Sequence, residues 1–404
     1  MHHKNLAIGD HCVLISKDAC GKFYLPPYGN KHWKTPNLNE LAQKGTVFSR
    51  HYTAAPSSAM AYNSMFTGKY PYESDNKYFL PVDKNIHCDS IFDLLEGVGY
   101  TCHIIWDRTW MNGAQRFSNC YGGKTIFHNL NEFQQQVGPH IAHNDVLIRS
   151  KVKTEESISM FEKELISILD NGRKLFLWIH FPHVINGRIG YGDDIDVYDH
   201  LIGVVRKYFS DNDIVITSDH GNMNGQKGKL CYGFDVYEPA ISIPLIMPRI
   251  RGVTEYNDLT TNVDLHNLLL YRKIKQRAYI VSESAYYAQP NRKIAIILGN
   301  YKLIYNKAAR IFELYDLDYD PSESVNLYCE KQYDTDRKVM SRINELYYYP
   351  YWHEANTAKK ELLHIFHCIY KNGTITEEIM GFAQEKGRIL YKTAKVHYKK
   401  LKQR

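Results

Sequence analysis

Short apolar runs alternate with amphipathic stretches along the chain as far as about residue 250. The apolar runs have the length and composition of buried β-strands. They cover His11–Ser16, Tyr100–Trp106, Lys174–His180, Asp213–Thr217 and Ile241–Met247. Apolar residues at helical spacing lie between them, in Ser90–Gly97 and around Glu155–Leu169. This alternation predicts an α/β fold with a mostly parallel central sheet flanked by helices.

The pattern changes near residue 290. Lys293–Leu298 and Tyr301–Tyr305 flank the turn pair Gly299-Asn300, which is typical of a two-residue β-hairpin. Ile311–Leu317 follows as a third strand, and the chain reads as helical after about residue 333. We therefore expect an α/β domain over 1–275, a small C-terminal antiparallel subdomain over 276–332, and a helical, basic tail over 333–404.

The positive charge of the chain is concentrated in its tail. The formal net charge is +6, and Lys386 to Arg404 contains eight Lys or Arg and no acid, so residues 1–385 carry −2 (6 minus 8). Apolar residues at near-helical spacing accompany the lysines, which fits either peripheral contact with anionic membrane or a solvated helix. Nucleic acid is a less favoured partner, because no aromatic platform or groove-reading motif accompanies the charge.

Cysteine usage and hydropathy bear on the compartment. The eight cysteines form no C-x-x-C pair, which argues against a thiolate zinc site. The N-terminal residues lack the apolar core of a signal peptide, and no run approaches the roughly 18 apolar residues of a membrane span. The simplest interpretation is a cytoplasmic protein with reduced thiols, which the basic tail would allow to touch the inner face of the membrane.

Residue types that bind metal ions follow the predicted strands. Asp219 and His220 come directly after the strand ending at Thr217, where open α/β sheets place their ligands. A carboxylate beside an imidazole is a typical pair of ligands for Zn²⁺ or Mn²⁺. The same two residues could instead be the polar start of a loop that binds no metal. Asp18 follows the first strand, and taken alone it fits a turn aspartate better than a ligand.

Nucleophile and histidine candidates occupy similar positions. Ser57 and Ser58 lie in a small-residue loop that enters a helix, so each is either a helix N-cap or a nucleophile. His180 ends a buried strand, and His183 follows in the segment I-H-F-P-H. A single histidine there would usually be a core residue, whereas two at one strand end favour a site.

Five ordered motifs resemble the sulfatase-like branch of the alkaline phosphatase superfamily. Thr35–Gly45 is similar to the family's T-P-N-L-D-x-L-A-x-x-G, and Ser64–Pro71 to its S-L-L-T-G-x-Y-P. The other three motifs are Ile216–Gly221, Tyr237–Ile246 and Glu313–Leu327. The resemblance covers about residues 11–330 and implies the family's fold.

The chain departs from this family at the nucleophile. Sulfatases carry the motif C-x-P-x-R or S-x-P-x-R, whose first residue is converted to the formylglycine nucleophile. Counting back from Thr67-Gly68 places that nucleophile at Ser58. Met60 and Tyr62 stand where the family has Pro and Arg. We therefore expect an unmodified serine hydroxyl as the nucleophile. Ala19 also replaces the second of two aspartates that the family places after its first strand.

The remaining set resembles the single-metal centre of lipoteichoic acid synthases and related phosphotransferases. That resemblance implies one divalent metal ion held by Asp18, Ser58, Asp219 and His220. Mn²⁺ or Zn²⁺ is favoured over Mg²⁺ or Ca²⁺. It also implies that His180 and an arginine, Arg108 or Arg116, contact phosphate. His183 is then a candidate proton donor to the leaving group.

These features predict a metal-dependent phosphotransferase or phosphodiesterase with a serine nucleophile. The donor would be a phosphodiester of phospholipid type, and the acceptor a glycan, such as a surface-glycan precursor, or water. Hydrolysis of sulfate esters is the first alternative, because the most populous branch of the fold does this. An inactive relative that binds a glycan or a protein partner is the second.

Overall fold

A central eight-stranded sheet dominates the computed structural model, which describes residues 7–73, 90–106, 125–129, 146–169, 172–181, 192–285, 291–328 and 352–373. The strands are β1 (His11–Lys17), β2 (Thr46–Phe48), β3 (His51–Tyr52), β4 (Thr101–Trp106), β5 (Ile126–Asn129), β6 (Leu175–Phe181), β7 (Ile214–Ser218), β8 (Met223–Asn224), β9 (Leu230–Cys231), β10 (Leu245–Met247), β11 (Glu255–Tyr256), β12 (Thr260–Thr261), β13 (Tyr279–Glu283), β14 (Lys293–Leu298), β15 (Tyr301–Asn306) and β16 (Ile311–Asp316). The helices are α1 (Pro36–Lys44), α2 (Ser58–Thr67), α3 (Ile91–Glu96), α4 (Val146–Leu169), α5 (Gly192–Tyr208), α6 (Glu238–Ile241), α7 (Leu265–Tyr271) and α8 (Trp352–Gly373).

The central sheet is mostly parallel. Its order is β11-β2-β10-β7-β1-β6-β4-β5, and β10 runs against its neighbours β7 and β2 while the other paired strands are parallel. Lys17 pairs with both Phe181 and Ser218, so β1, β6 and β7 end at one level. The residues that follow these three strands therefore emerge together at one edge of the sheet.

Two apolar layers cover the two faces of this sheet. Leu14, Phe176 and Val215 face one layer, and their sequence neighbours face the other, as the two-residue period of a strand requires. The first layer contains residues of α2, α3 and α7, and the second contains residues of α1, α4 and α5. Burial on both faces explains why the strands read as continuous apolar runs.

The antiparallel sheet near the C-terminus is confirmed. β13, β14, β15 and β16 pair in sequence order, and the hairpin between β14 and β15 turns at Gly299, whose φ is +55°. Ile280, Ile297 and Ile304 of this sheet pack with Ala240 and Ile241 of α6. The sheet thus packs against the segment that follows the Asp219-His220 pair. The α/β fold class is likewise confirmed.

The predicted strand Ile241–Met247 is wrong for its first four residues. Ile241 ends helix α6, and only Leu245–Met247 of the run Ile241–Met247 forms strand, as β10. Pro244 has no backbone N–H to give to a ladder, so the pairing begins after it. Ile241 and Ile243 are completely buried, and this burial accounts for the apolar run without an extended strand.

The chain divides into two units, residues 1–327 and 328–404. The second unit is described over α8, in which Ala355, Leu362 and Phe366 are buried. The basic tail from Lys386 onward lies outside the described residues. Among the helices that the structure describes, none has both the length and the apolarity needed to cross a bilayer. The expected boundaries at 275 and 332 stay predictions.

Candidate metal centre and nucleophile

Asp18, Asp219 and His220 meet at the edge of the sheet where β1 and β7 end. One potential ligand atom from each lies within 4.8 Å of the others. The side chains of Asp219 and His220 are completely buried, and that of Asp18 is 20% exposed. The group is therefore in contact with solvent on the side of Asp18.

Backbone N–H groups hold the Asp219 carboxylate in place. Oδ1 accepts hydrogen bonds from Ala19 N at 3.0 Å and from His220 N at 2.8 Å. Ala19 has a φ of +53°, a left-handed conformation that costs energy for a residue with a Cβ. The hydrogen bond from its N–H to Asp219 means that the turn after β1 fixes a side chain that follows β7.

The His220 ring has an orientation suited to metal binding. Nδ1 lies 2.8 Å from the Gly221 carbonyl oxygen, which can only accept, so Nδ1 carries the proton. The lone pair of the neutral ring is then on Nε2. Nε2 lies 3.4 Å from Asp219 Oδ2 and 3.7 Å from Asp18 Oδ1. A hydrogen bond from the other ring nitrogen to a carbonyl is the usual second contact of a metal-binding histidine.

Gly221 lets helix α6 approach this turn. Its N–H donates to Ala240 O, and the next N–H, of Asn222, donates to Pro239 O. A Cβ at position 221 would lie 2.0 Å from Pro239 O, far inside van der Waals contact. The glycine of the Asp-His-Gly motif is therefore required by a backbone contact.

Ser58 is the first residue of helix α2, and its Oγ lies 3.2 Å from His220 Nε2. Ser57 is the N-cap and is buried, and its Oγ has no hydrogen-bond partner among the described residues. The geometry thus directs Ser58, not Ser57, toward the candidate ligands. The position at a helix N-terminus also places the positive end of the helix dipole beside the hydroxyl.

The surroundings of Asp219 favour its charged form. Burial acts to raise its pKa, but the neighbouring His220 and His180 rings, the Ala19 N–H and the Ser58 hydroxyl outweigh burial and hold the pKa below its usual value. A carboxylate at this position is ready to bind a cation. Two carboxylates and an imidazole lone pair within 4.8 Å fit a divalent metal ion by donor type.

His180 lies in a buried layer next to this group. Tyr62 Oη is 2.5 Å from its Nδ1, and Ser16 Oγ is 3.0 Å from the same nitrogen. Burial, assisted by the charge of Lys17, lowers the pKa of His180 to about 4 although Asp219 opposes the shift. The ring is therefore neutral near pH 7. The other predicted substrate contacts, Arg108, Arg116 and His183, lie outside the described residues.

Several site residues were not predicted from the sequence. Ser218 Oγ lies 2.7 Å from the carbonyl oxygens of Lys17 and His220 and accepts from Cys20 N, so it joins the ends of β1 and β7. The Tyr232 ring lies against the His220 ring, with centroids 4.4 Å apart. Ser16 and Trp178 support His180. The sequence signal that could have identified some of these residues is a polar residue at the end of an apolar strand, as at Ser16 and Ser218.

The sequence comparisons find similarity to sulfatases. The family described as Sulfatase matches residues 10–184. Steryl-sulfatase from Mus musculus is 39% identical over 59 residues, which are 15% of this chain and 10% of that protein. N-acetylgalactosamine-6-O-sulfatase from Bacteroides thetaiotaomicron is 26% identical over 97 residues, 23% of this chain and 19% of that protein. The matches therefore span no more than a fifth of these relatives.

Solved structures share the fold over most of the chain. A phosphonate monoester hydrolase from Agrobacterium radiobacter aligns with a TM-score of 0.57 and 15% identity, covering 82% of this chain and 94% of that one. A protein of the alkaline phosphatase superfamily from Vibrio parahaemolyticus aligns with a TM-score of 0.54 and 15% identity, covering 82% and 88%. The chain therefore shares the fold of these proteins, and its residues 10–184 are similar to the Sulfatase family, in agreement with its motifs. Divalent metal ions are bound by members of this superfamily.

Proposed function

We propose that this protein is a metal-dependent hydrolase or transferase of phosphate esters, with Ser58 as its nucleophile. The observation that carries the proposal is the 3.2 Å distance between Ser58 Oγ and His220 Nε2. This contact joins a hydroxyl at a helix N-terminus to a group of three ligand side chains. A nucleophile beside a metal centre is the arrangement that covalent ester hydrolysis requires.

The roles of the residues follow from their positions. A divalent ion held by Asp18, Asp219 and His220, with Ser58 Oγ beside it, would lower the pKa of the serine hydroxyl and polarise the ester. Ser58 Oγ attacks phosphorus, the bond to the leaving oxygen breaks, and water or an acceptor hydroxyl later releases the group from Ser58. The free N–H groups at the start of α2 stabilise the negative charge that develops there.

His180 is proposed to contact the non-bridging oxygens of the substrate. Because its pKa is lowered to about 4, it would act near pH 7 as a neutral hydrogen-bonding group. The proposal also retains an arginine, Arg108 or Arg116, for these oxygens, and His183 as the proton donor to the leaving group. These three assignments rest on the sequence alone.

Sulfate esters are the second candidate substrate class. The domain match and the curated relatives are sulfatases, so the comparisons favour sulfate-ester hydrolysis more directly than phosphotransfer. The phosphonate monoester hydrolase among the solved structures supports phosphate esters loosely. The choice of phosphate depends on the segment around Ser58, where Met60 and Tyr62 replace the Pro and Arg of the sulfatase motif.

The proposed donor, acceptor and compartment remain those that the sequence predicts. They are a phosphodiester or phospholipid-type donor, a glycan or water as acceptor, and a cytoplasmic protein whose basic tail touches the membrane. Mn²⁺ or Zn²⁺ is the proposed ion, because an imidazole among carboxylates suits these metals.

A substrate panel tests the proposal. Purified protein is assayed with Mn²⁺ or Zn²⁺ on bis(p-nitrophenyl) phosphate, p-nitrophenyl phosphate and p-nitrophenyl sulfate, together with the Ser58→Ala and Ser57→Ala variants. We expect turnover of a phosphate ester that Ser58→Ala abolishes and Ser57→Ala retains. Turnover of the sulfate ester alone would support the second candidate, and full activity of Ser58→Ala would exclude the serine mechanism.

A further inference from the structure

A buried layer of hydrogen-bonded side chains lies directly beside the candidate metal centre. Ser16 comes from β1, Tyr62 from α2, and Trp178 and His180 from β6, and each is at most 2% exposed. Ser16 pairs with His180 in the sheet register, and Trp178 lies two residues earlier on the same face of β6. Three separate elements therefore place these side chains together.

Tyr62 occupies the centre of this layer. Its Oη lies 2.5 Å from His180 Nδ1, and it also forms a side-chain hydrogen bond with Asp219. A protonated phenol can donate one hydrogen bond and accept others. It is thus able to contact Asp219 and His180 at the same time.

The rest of the layer fixes where Tyr62 points. The Trp178 indole N–H donates to Ser16 Oγ at 2.9 Å, and Ser16 Oγ lies 3.0 Å from His180 Nδ1. The Tyr62 ring packs edge-on against Trp178 and His180, with centroid distances of 4.7 and 5.2 Å. Ser58 begins the same helix one turn earlier, so the helix that carries Tyr62 also carries the candidate nucleophile.

We propose that Tyr62 is a positioning residue that joins the candidate metal ligand Asp219 to His180 through its hydroxyl. The ring anchors α2 by packing, and the hydroxyl holds the Asp219 carboxylate and the His180 ring in fixed orientations. This inference rests on the proposed metal centre but requires no particular substrate. Removal of a group that orients a metal ligand typically lowers metal affinity or activity by about 10–100-fold.

The test measures metal binding, which is independent of catalysis. Calorimetric titration of chelator-treated protein with MnCl₂ or ZnCl₂ compares wild type with Tyr62→Phe, which keeps the ring and removes only the hydroxyl. The matched control is Tyr198→Phe. Tyr198 is equally buried, on the opposite face of the sheet, and its hydroxyl has no hydrogen-bond partner among the described residues.

We expect Tyr62→Phe to weaken metal affinity about 10–100-fold, and Tyr198→Phe to leave it unchanged. Near-ultraviolet circular dichroism checks that both variants keep wild-type packing. Equal affinities of Tyr62→Phe and wild type would overturn the proposal, as would an equal loss in Tyr198→Phe. A wild-type protein that binds metal but hydrolyses no ester would contradict the proposed function and leave this comparison intact.

Discussion

Ser58 Oγ lies 3.2 Å from His220 Nε2, although 162 positions separate the two residues in the chain. Helix α2 supplies one and the turn after β7 supplies the other. Since Nδ1 of His220 donates to the Gly221 carbonyl, the lone pair of the neutral ring lies on Nε2, the nitrogen that faces Ser58. The pair therefore joins the proposed nucleophile to one residue of the candidate metal centre.

Removal of a ligand side chain should abolish tight metal binding. We expect His220→Ala to lower the affinity for Mn²⁺ or Zn²⁺ by more than about 100-fold, because even a group that only orients a ligand typically contributes 10–100-fold. Calorimetry measures the affinity. His103→Gln is the control, since His103 is also buried but contacts His128 at the other end of the sheet. An unchanged affinity in His220→Ala would remove this residue from the site.

Gly221→Ala should destabilise the protein through a backbone clash. The added Cβ would lie 2.0 Å from Pro239 O, so either the turn or α6 must move. Overpacking of this kind typically costs about 1–3 kcal/mol, and a backbone neighbour puts the expected loss at the upper end. Urea unfolding measures it. Gly9→Ala is the matched control, because the nearest atom to its Cβ outside the adjacent residues, Asp213 Oδ1, would lie 3.6 Å away. Equal stabilities would show that the turn adapts freely.

A buried ion triad should stabilise the C-terminal antiparallel sheet against α6. Lys302 Nζ lies 3.2 Å from Glu238 and 2.8 Å from Glu323, and all three side chains are at most 6% exposed. Lys302→Met would leave two buried acids without their cation, which typically costs about 3–5 kcal/mol. The exposed pair of Lys207 with Glu162 is the comparison, where Lys207→Met should cost less than about 1 kcal/mol. Similar melting temperatures for the two variants would contradict this account.

His51 should make the fold sensitive to acid. Its side chain is completely buried, and burial, with the charge of Lys22, lowers its pKa from 6.5 to about 3. Below pH 6.5, His51 is protonated in the unfolded chain, whereas in the folded protein it is protonated only below about pH 3. The contribution of His51 is therefore fully present above pH 6.5 and decreases as the pH falls through this window, by about 1.4 kcal/mol per pH unit for one group.

Urea unfolding of wild type and His51→Gln from about pH 7 to about pH 5 measures this linkage. The variant should show a shallower decline, because it lacks one of the buried neutral histidines. His103 and His180 also have lowered pKa values and contribute to the decline in both proteins. Parallel stability curves would show that His51 accepts its proton in the folded state.

The sequence was sufficient to predict where β1 and β7 end, to within one residue. Buried parallel strands read as apolar runs, and Asp18 and Asp219 follow two such runs directly. Because β1 and β7 are neighbours in register, the residues that follow them lie close together, while their assignment as metal ligands stays a prediction. The same reasoning failed for Ile241–Met247, since an apolar run reports burial and does not distinguish helix α6 from strand β10.

The buried layer around Tyr62 could not be read from the sequence. Its members, Ser16, Tyr62 and Trp178, each look like ordinary core or strand residues in their own segments. Their hydrogen bonds depend on the register of β1 with β6 and on the placement of α2 against both strands. Such contacts are set by tertiary packing, to which local periodicity gives no access.

Mass spectrometry of the peptide that contains Ser58 tests the central claim most directly. The protein is digested before and after rapid acid quenching of a reaction with bis(p-nitrophenyl) phosphate and metal. We predict an unmodified serine at position 58 before the reaction, and a phosphate ester on that serine in the quenched sample. Formylglycine at position 58, or a covalent group on Ser57 instead, would contradict the assignment of the Ser58 hydroxyl as the nucleophile.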